Sequence, residues 1–177
     1  MQDPELDRLR TAPLEVVGRF TDASNATLLV RRTDRDPRSL AAIGDALGRE
    51  PGVDDLDASD LAVYKPRDGE RPLWDFPAGT LHRREVAASL VDRAMGAGLV
   101  PDTVLRDDAP FGPGSVQRFV PHDPELNYFA VREPALRGDD SALRERIVLL
   151  AAFDLVIDNA DRKGGHVLVG DGGGTSG

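Results

Sequence analysis

No other feature of this sequence limits the fold as strongly as the order of its strand-like and helix-like segments. Two short apolar runs, 14–20 and 26–32, flank a polar turn and predict a pair of strands. A third strand is predicted at 61–66, followed by a helix at 81–96 that ends at a glycine. Strands and helices that are segregated in this way indicate an α+β fold rather than a series of βαβ units.

The rest of the sequence continues this pattern. Two further strands are predicted near 99–105 and 115–120, and a last one at 166–169, HVLV. Residues 141–158 give the strongest helix signal, and because their later half is apolar nearly all round, we expect a buried helix. A short helix is predicted at 39–48. The polar segments predicted as loops are 33–60 around that helix, 67–80 and 121–140.

Charge and composition restrict the partners of this chain. The net charge of -9 at pH 7 makes nucleic acid and anionic membranes poor partners. No apolar run approaches the roughly 18 residues that span a bilayer, and the polar, acidic N-terminus is unlike a signal peptide. Because the chain has no cysteine, disulfides and thiolate metal sites are excluded. The sequence predicts a cytoplasmic protein with no integral membrane segment.

Lysine is rare in this chain. Only Lys65 and Lys163 are lysines among 22 basic residues, and the others are arginines. Lysine carries a compact point charge whereas arginine is a wide planar fork, so a lysine here can mark a position where arginine does not serve. The alternative is that two neutral lysines persist by chance.

Lys65 lies in the strand at 61–66, and Glu85 lies in the helix that follows. A strand lysine paired with a helix glutamate is the ion pair that positions ATP in kinase-like folds. Lysine suits this role because its point charge can contact α- and β-phosphate oxygens. The alternative is an exposed lysine on an edge strand and an unrelated glutamate on the helix surface.

The segment DNADRKGGHVLV, Asp158–Val169, is a candidate catalytic loop. Asp161 and His166 are five positions apart, as in phosphoryl-transfer loops, where an Asp takes or orients the hydroxyl proton and a later polar residue holds the metal. Arg162 or Lys163 can lie against the γ-phosphate and offset its developing charge. The alternative is a polar turn that ends a helix.

Two other segments are candidates for nucleotide contacts. The turn between the first two strands has four groups that can hydrogen-bond phosphate oxygens, and a plain hairpin turn is the alternative. Gln117 and Phe119 lie in a strand that leads out of the first lobe, where the hinge of a two-lobed kinase meets adenine; a simple core strand is the alternative. The four groups in the turn are the side chains of Ser24 and Asn25 and the backbone N–H groups of Ala26 and Thr27.

Together these segments resemble the phosphatidylinositol kinase-related branch of the protein-kinase-like fold, which also contains the HipA-type kinases. More closely, the chain resembles a bacterial family of unknown function related to phosphatidylinositol 3-/4-kinases. The matching segments are EVVGRFTDASNATLLV (Glu15–Val30), VYKPRDGERPLWDFPAGTLHRREVAASLV (Val63–Val91), VLRDDAPFGPGSVQ (Val104–Gln117) and FDLVIDNADRKGGHVLV (Phe153–Val169).

The resemblance implies a two-lobed fold: an N-lobe at 1–120 with an antiparallel sheet and a helix that binds nucleotide, and an incomplete helical C-lobe at 121–177. The resemblance also implies that the cofactors are ATP and a divalent metal, Mg²⁺ or Mn²⁺. Lys65 would bind phosphate and Glu85 would orient that lysine. Asp161 would be the catalytic acid or base.

Two positions depart from the pattern of the superfamily. His166 stands where a metal-binding Asn is usual, and Lys163 stands where lipid kinases have His. The returning strand that would carry the principal metal-binding Asp is not found after the loop, so we expect a truncated form.

The function implied by the resemblance is ATP-dependent transfer of the γ-phosphate to a hydroxyl of a protein or a small molecule. One alternative is an inactive nucleotide-binding pseudokinase, or a truncated fragment that acts as an interaction module. A purely structural α+β domain would require the kinase-like positions of both lysines, Glu85 and Asp161 to be a coincidence.

Overall fold

The structure is a computed structural model that describes residues 3–21, 23–122, 128–137, 140–160 and 162–168. The chain divides into two compact units. The first contains Met1–Leu90 and Val100–Phe119, and the second contains Val91–Leu99 and Val120–Gly177. The predicted boundary between the lobes, at residue 120, agrees with the boundary at Phe119. The prediction placed 91–99 in the first lobe, whereas these residues belong to the second unit.

The first unit is built on a five-stranded antiparallel sheet with the order β1-β2-β3-β5-β4. The α+β class is confirmed, and each of the five strands predicted in this part of the chain is present with bounds shifted by a few residues. The strands are β1 (Leu14–Arg19), β2 (Leu28–Arg32), β3 (Leu61–Pro66), β4 (Thr103–Arg106) and β5 (Gly114–Arg118).

One face of this sheet carries the apolar core. Helix α1 (Pro4–Thr11) packs there, although no helix was predicted at this position. Asp3 accepts hydrogen bonds from the first backbone N–H groups of α1, and Pro4 supplies a helical φ at its first residue. The core residues around α1 are Leu6, Leu9, Leu28, Val30, Ala62, Tyr64, Val104, Ala109 and Val116.

The segment between β2 and β3 is tied to α1 by ion pairs. Arg8 of α1 contacts Asp34 at 2.7 Å and Asp60 at 2.8 Å. The predicted short helix is present as α2 (Leu40–Leu47), which Ser39 caps and Gly48 ends in a left-handed conformation. This acidic segment is therefore an ordered part of the first unit.

The opposite face of the sheet meets helix α3 (Leu81–Met95) through polar groups. The three residues of α3 that are buried are His82, Ser89 and Asp92. The Ser89 hydroxyl oxygen accepts a hydrogen bond from the Thr103 backbone N–H at 3.1 Å. Buried polar groups therefore help to hold this helix, together with the half-buried Leu81 and Val86.

In the second unit the structure corrects two sequence predictions. The predicted loop at 121–140 contains helix α4 (Tyr128–Arg137), which accommodates Pro134 in its interior. Helix α5 (Ser141–Val156) is present, capped by Asp140, but the prediction that its later half is buried is wrong. Only Phe153 is buried, and Leu155 is 85% exposed. Apolar composition predicts a preference for burial, and no described element packs over this face to satisfy it.

The predicted strand HVLV is also wrong as far as the structure describes it. Gly164–His166 form one turn of 3-10 helix, and Val167 and Leu168 follow without regular structure, whereas Val169 lies outside the described residues. A strand needs a hydrogen-bonded neighbour, and no described strand pairs with this segment. None of the described helices has the length and apolar character needed to cross a membrane.

Candidate functional site

A hydrogen-bonded group formed by Lys65, Glu85 and Ser115 lies on the face of the sheet opposite the core around α1. The Lys65 Nζ atom is 2.6 Å from Glu85 Oε1. The other carboxylate oxygen, Oε2, accepts a hydrogen bond from the Ser115 hydroxyl at 2.7 Å. The predicted contact between the strand lysine and the helix glutamate is therefore present, and its role in nucleotide binding stays a prediction.

The pairing of β3 with β5 brings Lys65 and Ser115 together. The two residues are directly opposite in the antiparallel register, so their side chains lie on the same face. Gly114 lets the strands approach closely, because a Cβ there would lie 2.4 Å from the Lys65 carbonyl oxygen. The buried Tyr64 also donates a hydrogen bond from its hydroxyl to the Gly112 carbonyl at 2.7 Å. The backbone that carries Lys65 is thus firmly held.

The charged groups of this site remain accessible to solvent. The side chains of Lys65 and Glu85 are 31% and 32% exposed, whereas Ser115 is only 1% exposed. Ion pairs with this degree of exposure contribute about 0–1 kcal/mol to stability. The pair is therefore a weak stabilising element whose ammonium can still meet a ligand.

The turn between β1 and β2 uses one of its predicted phosphate-binding donors internally and fixes the Asn25 side chain through its oxygen, which is not the atom that would contact phosphate. The Ala26 backbone N–H donates to the Gly69 carbonyl at 3.0 Å, and the Asn25 side-chain oxygen accepts from the Arg71 backbone N–H at 2.9 Å. Ser24 is exposed. A phosphate that used the Ala26 N–H would have to displace the Gly69 carbonyl.

Gln117 lies on the same face of the sheet as Ser115, because side chains alternate along a strand. Its amide donates to the Thr103 hydroxyl at 3.0 Å, across the β4–β5 pair. Phe119 is half-buried, and its backbone N–H donates to the Leu61 carbonyl at 3.3 Å, at the opposite end of β3 from Lys65. The structure thus places the predicted hinge residues beside β3, and their contact with adenine stays a prediction.

The candidate catalytic loop is described only in part, and the predicted catalytic Asp161 lies outside the described residues. Lys163 and His166 are exposed, and the His166 backbone N–H donates to the Lys163 carbonyl at 2.9 Å. Gly164 packs closely on helix α4, since a Cβ there would lie 2.4 Å from the ring of Phe129. The roles of Asp161, Lys163 and His166 stay predictions.

Asp154, which we did not predict as a site residue, organises the start of this loop. Its carboxylate accepts two hydrogen bonds from the Arg162 guanidinium, at 2.6 Å and 2.9 Å, and a third from the Asn159 amide at 2.9 Å. The Arg162 guanidinium holds the pKa of Asp154 below its usual value. Arg162, one of the two cations predicted at the γ-phosphate, is thus committed to Asp154 in this conformation.

A relative of this chain is protein Rv2133c from Mycobacterium tuberculosis, which is 37% identical over 196 aligned residues. The alignment covers 96% of this chain and 63% of the relative. The chain therefore spans less than two thirds of that protein, whose name states no activity. No family model matches the chain. No solved structure matches it.

The described residues do not supply a ligand set for Mg²⁺ or Mn²⁺. Among them, no group of three or more His, Asp or Glu side chains is arranged to hold a metal ion. Octahedral Mg²⁺ prefers oxygen ligands, and His166 would offer nitrogen. We therefore assign no metal-dependent step to the residues that the structure describes.

Proposed function

We propose that this chain binds ATP at the Lys65–Glu85 pair and belongs to an ATP-dependent phosphotransferase that acts on a hydroxyl of a protein or small molecule. The single observation that carries the proposal is the 2.6 Å contact of the Lys65 ammonium with Glu85 across the strand and helix. Kinase-like enzymes position ATP phosphates with a lysine held in this way.

The chemistry of lysine supports this role. An ammonium has three donors, so Lys65 can keep its bond to Glu85 and direct other donors to phosphate oxygens. The chain uses arginine almost everywhere else, and a planar guanidinium fork would not fit this point contact in the same way. The ion pair stabilises the fold by only about 0–1 kcal/mol, which leaves ligand binding as the better reason for a lysine here.

Lys65, Glu85 and Ser115 would together position the phosphates of ATP. Glu85 holds the Lys65 ammonium, and Ser115 holds Glu85 through its second oxygen. Positive charge fixed beforehand at a phosphate stabilises the charge that develops during transfer. Asp161 would take the proton of the attacking hydroxyl, as the resemblance implies.

A nucleotide-binding protein without turnover is the second candidate. It is favoured by the bidentate pairing of Arg162 with Asp154, which leaves Lys163 as the remaining cation predicted at the γ-phosphate. Both candidates require ATP to bind at Lys65.

Thermal unfolding with and without ATP, in the presence of Mg²⁺ or Mn²⁺, tests binding. A ligand present at 100 times its Kd stabilises the folded state by about 2.7 kcal/mol, so we expect a clear rise in Tm. Lys65→Ala should abolish the rise. The matched control is Arg49→Ala, which also removes one cation from an exposed ion pair, with Asp55. This variant should retain the rise in Tm, because Arg49 is not part of the proposed site. No rise in the wild type at millimolar ATP would contradict the proposal.

Transfer of labelled γ-phosphate separates the two candidates. An enzyme should label an acceptor or release phosphate, and Asp161→Ala should stop both reactions while ATP still raises Tm. ATP binding with neither reaction would favour the protein without turnover.

A further inference from the structure

Glu70, in the loop between β3 and α3, has a buried carboxylate that lies at the start of α3. Glu70 Oε2 accepts from the Leu81 backbone N–H at 3.0 Å, and Oε1 accepts from the His82 backbone N–H at 2.7 Å. Backbone N–H groups in the first turn of a helix have no partner within the helix. Glu70 therefore caps α3 from a distance in sequence.

The same carboxylate also holds a side chain of α3. His82 Nδ1 lies 2.6 Å from Glu70 Oε1, and the two side chains are only 4% and 7% exposed. Residues three apart lie on the same face of a helix, so His82 and Glu85 point to the same side of α3. An anchor at His82 thus fixes the face that presents Glu85 to Lys65.

The residues on either side of Glu70 hold a different element, the turn between β1 and β2. The Gly69 carbonyl accepts from the Ala26 N–H at 3.0 Å, and the Arg71 N–H donates to the Asn25 side-chain oxygen at 2.9 Å. Glycine is needed for this approach, because a Cβ at Gly69 would lie 2.3 Å from the Ala26 Cβ. Three consecutive residues therefore bind both the turn and the helix.

We propose that Glu70 is a positioning residue for the Lys65–Glu85 pair, and that Gly69–Arg71 couples this pair to the β1–β2 turn. The backbone of this segment hydrogen-bonds the turn, and its central side chain, Glu70, orients α3. The functional importance of this coupling rests on the proposed role of Lys65 in ATP binding, whereas the coupling itself does not.

The scarcity of lysine gives a direct readout of the pair. A protein labelled at the lysine side chains shows two ε-methylene NMR signals, from Lys65 and Lys163, and Lys163→Arg assigns them. Glu85→Ala gives the position of the Lys65 signal when the pair is broken. We expect Glu70→Ala to move the Lys65 signal toward that position and to leave the Lys163 signal in place.

Amide hydrogen exchange reports the cap in the same samples. Loss of a helix cap should speed exchange at Leu81 and His82 by about two- to thirtyfold. Asp68→Asn is the matched control, because it removes one carboxylate of the same loop that is 73% exposed and pairs with the exposed Arg67. This control should leave both lysine signals and both amides unchanged.

Two results would overturn the proposal. Faster exchange at Leu81 and His82 with an unmoved Lys65 signal would show that the cap does not position the pair. Unchanged exchange in Glu70→Ala would show that Glu70 does not cap the helix. If Glu70→Ala does not fold, Glu70→Gln serves instead; it keeps one carbonyl oxygen as acceptor and should give smaller changes in the same direction.

Gly69→Ala tests the connection to the turn. We expect it to increase exchange at the Ala26 amide and to move the Lys65 signal, whereas an effect at Ala26 without one at Lys65 would refute the coupling. None of these measurements uses nucleotide. If the wild type does not bind ATP, the proposed function fails and the NMR result still decides the positioning role. If the wild type binds ATP and Glu70→Ala binds it equally well, the coupling has no functional importance, whereas the proposed function stands.

Discussion

Ser115→Ala should cost more stability than Lys65→Ala, although Lys65 is the residue we propose for ligand binding. Ser115 is 1% exposed and donates its hydroxyl to Glu85 at 2.7 Å. A hydrogen bond to a charged group contributes about 1.5–3 kcal/mol. Because Glu85 is 32% exposed, water can partly replace the lost donor, and we expect a loss of about 1–2 kcal/mol. The exposed ion pair contributes only about 0–1 kcal/mol.

Urea unfolding of the four proteins in a double-mutant cycle measures this contribution. The set is the wild type, Ser115→Ala, Glu85→Ala and the double variant. With an m-value of about 1–3 kcal/mol/M, a loss of about 1.5 kcal/mol lowers the midpoint for Ser115→Ala by about 0.5–1.5 M. The coupling energy of Ser115 with Glu85 should be about 1–2 kcal/mol.

The control is Ser59→Ala, because the Ser59 hydroxyl is exposed and its partners, Arg35 at 3.5 Å and the carboxylate of Asp57, are exposed as well. It should change stability by less than about 0.5 kcal/mol. Additivity of Ser115→Ala and Glu85→Ala within about 0.3 kcal/mol would refute the reasoning, as would a larger cost for Lys65→Ala than for Ser115→Ala.

Two further predictions concern acid stability and strand packing. Burial raises the pKa of Glu70, but the hydrogen bonds from His82 and Leu81 outweigh this effect and leave the pKa below its usual value. The contribution of Glu70 to stability is therefore complete above the unfolded pKa of about 4.3 and is lost as the pH falls through the folded pKa. Urea unfolding across this range should show that the free energy of unfolding depends less on pH in Glu70→Gln than in the wild type. Equal dependence on pH in the two proteins would contradict the prediction. Gly114→Ala should destabilise the fold by about 1–3 kcal/mol, because the new Cβ would meet the Lys65 carbonyl and the Tyr64 ring at 2.4 Å and 2.7 Å. Gly18→Ala, which has open space around its Cβ, should change thermal unfolding little, and similar losses for both variants would be the contrary result.

The sequence was sufficient to predict the five strands, because most of them lie in apolar or alternating segments between clear turns, whereas the strand order was not predicted. It also predicted the contact of Lys65 with Glu85, since a rare lysine in a strand and a glutamate in the next helix form a recognisable pattern. Ser115 was not predicted, because its position depends on the register of β3 against β5, which local patterns do not determine. The capping role of Glu70 was not predicted for a similar reason, since Glu70 precedes the helix by many more residues than a usual capping residue does.

The errors in the second unit have a different physical origin. An apolar helix such as α5 and an apolar run such as HVLV both need a partner surface, and local composition does not indicate whether one is present. Helix α4 was missed because Pro134 and the polar residues around it resemble a loop. Local patterns therefore gave the elements, whereas contacts between distant residues decided burial and capping.

The polar attachment of α3 has a consequence for how this helix separates from the sheet. Its fully buried residues, His82, Ser89 and Asp92, are all polar, and its apolar residues Leu81, Val86 and Val91 are only half-buried. We therefore expect its release to expose less apolar surface than unfolding of the core around α1. Both the m-value and the heat-capacity change of an opening scale with the surface exposed. Native-state hydrogen exchange should therefore find an opening of α3 that depends less on urea and temperature than the unfolding of the core around α1 does.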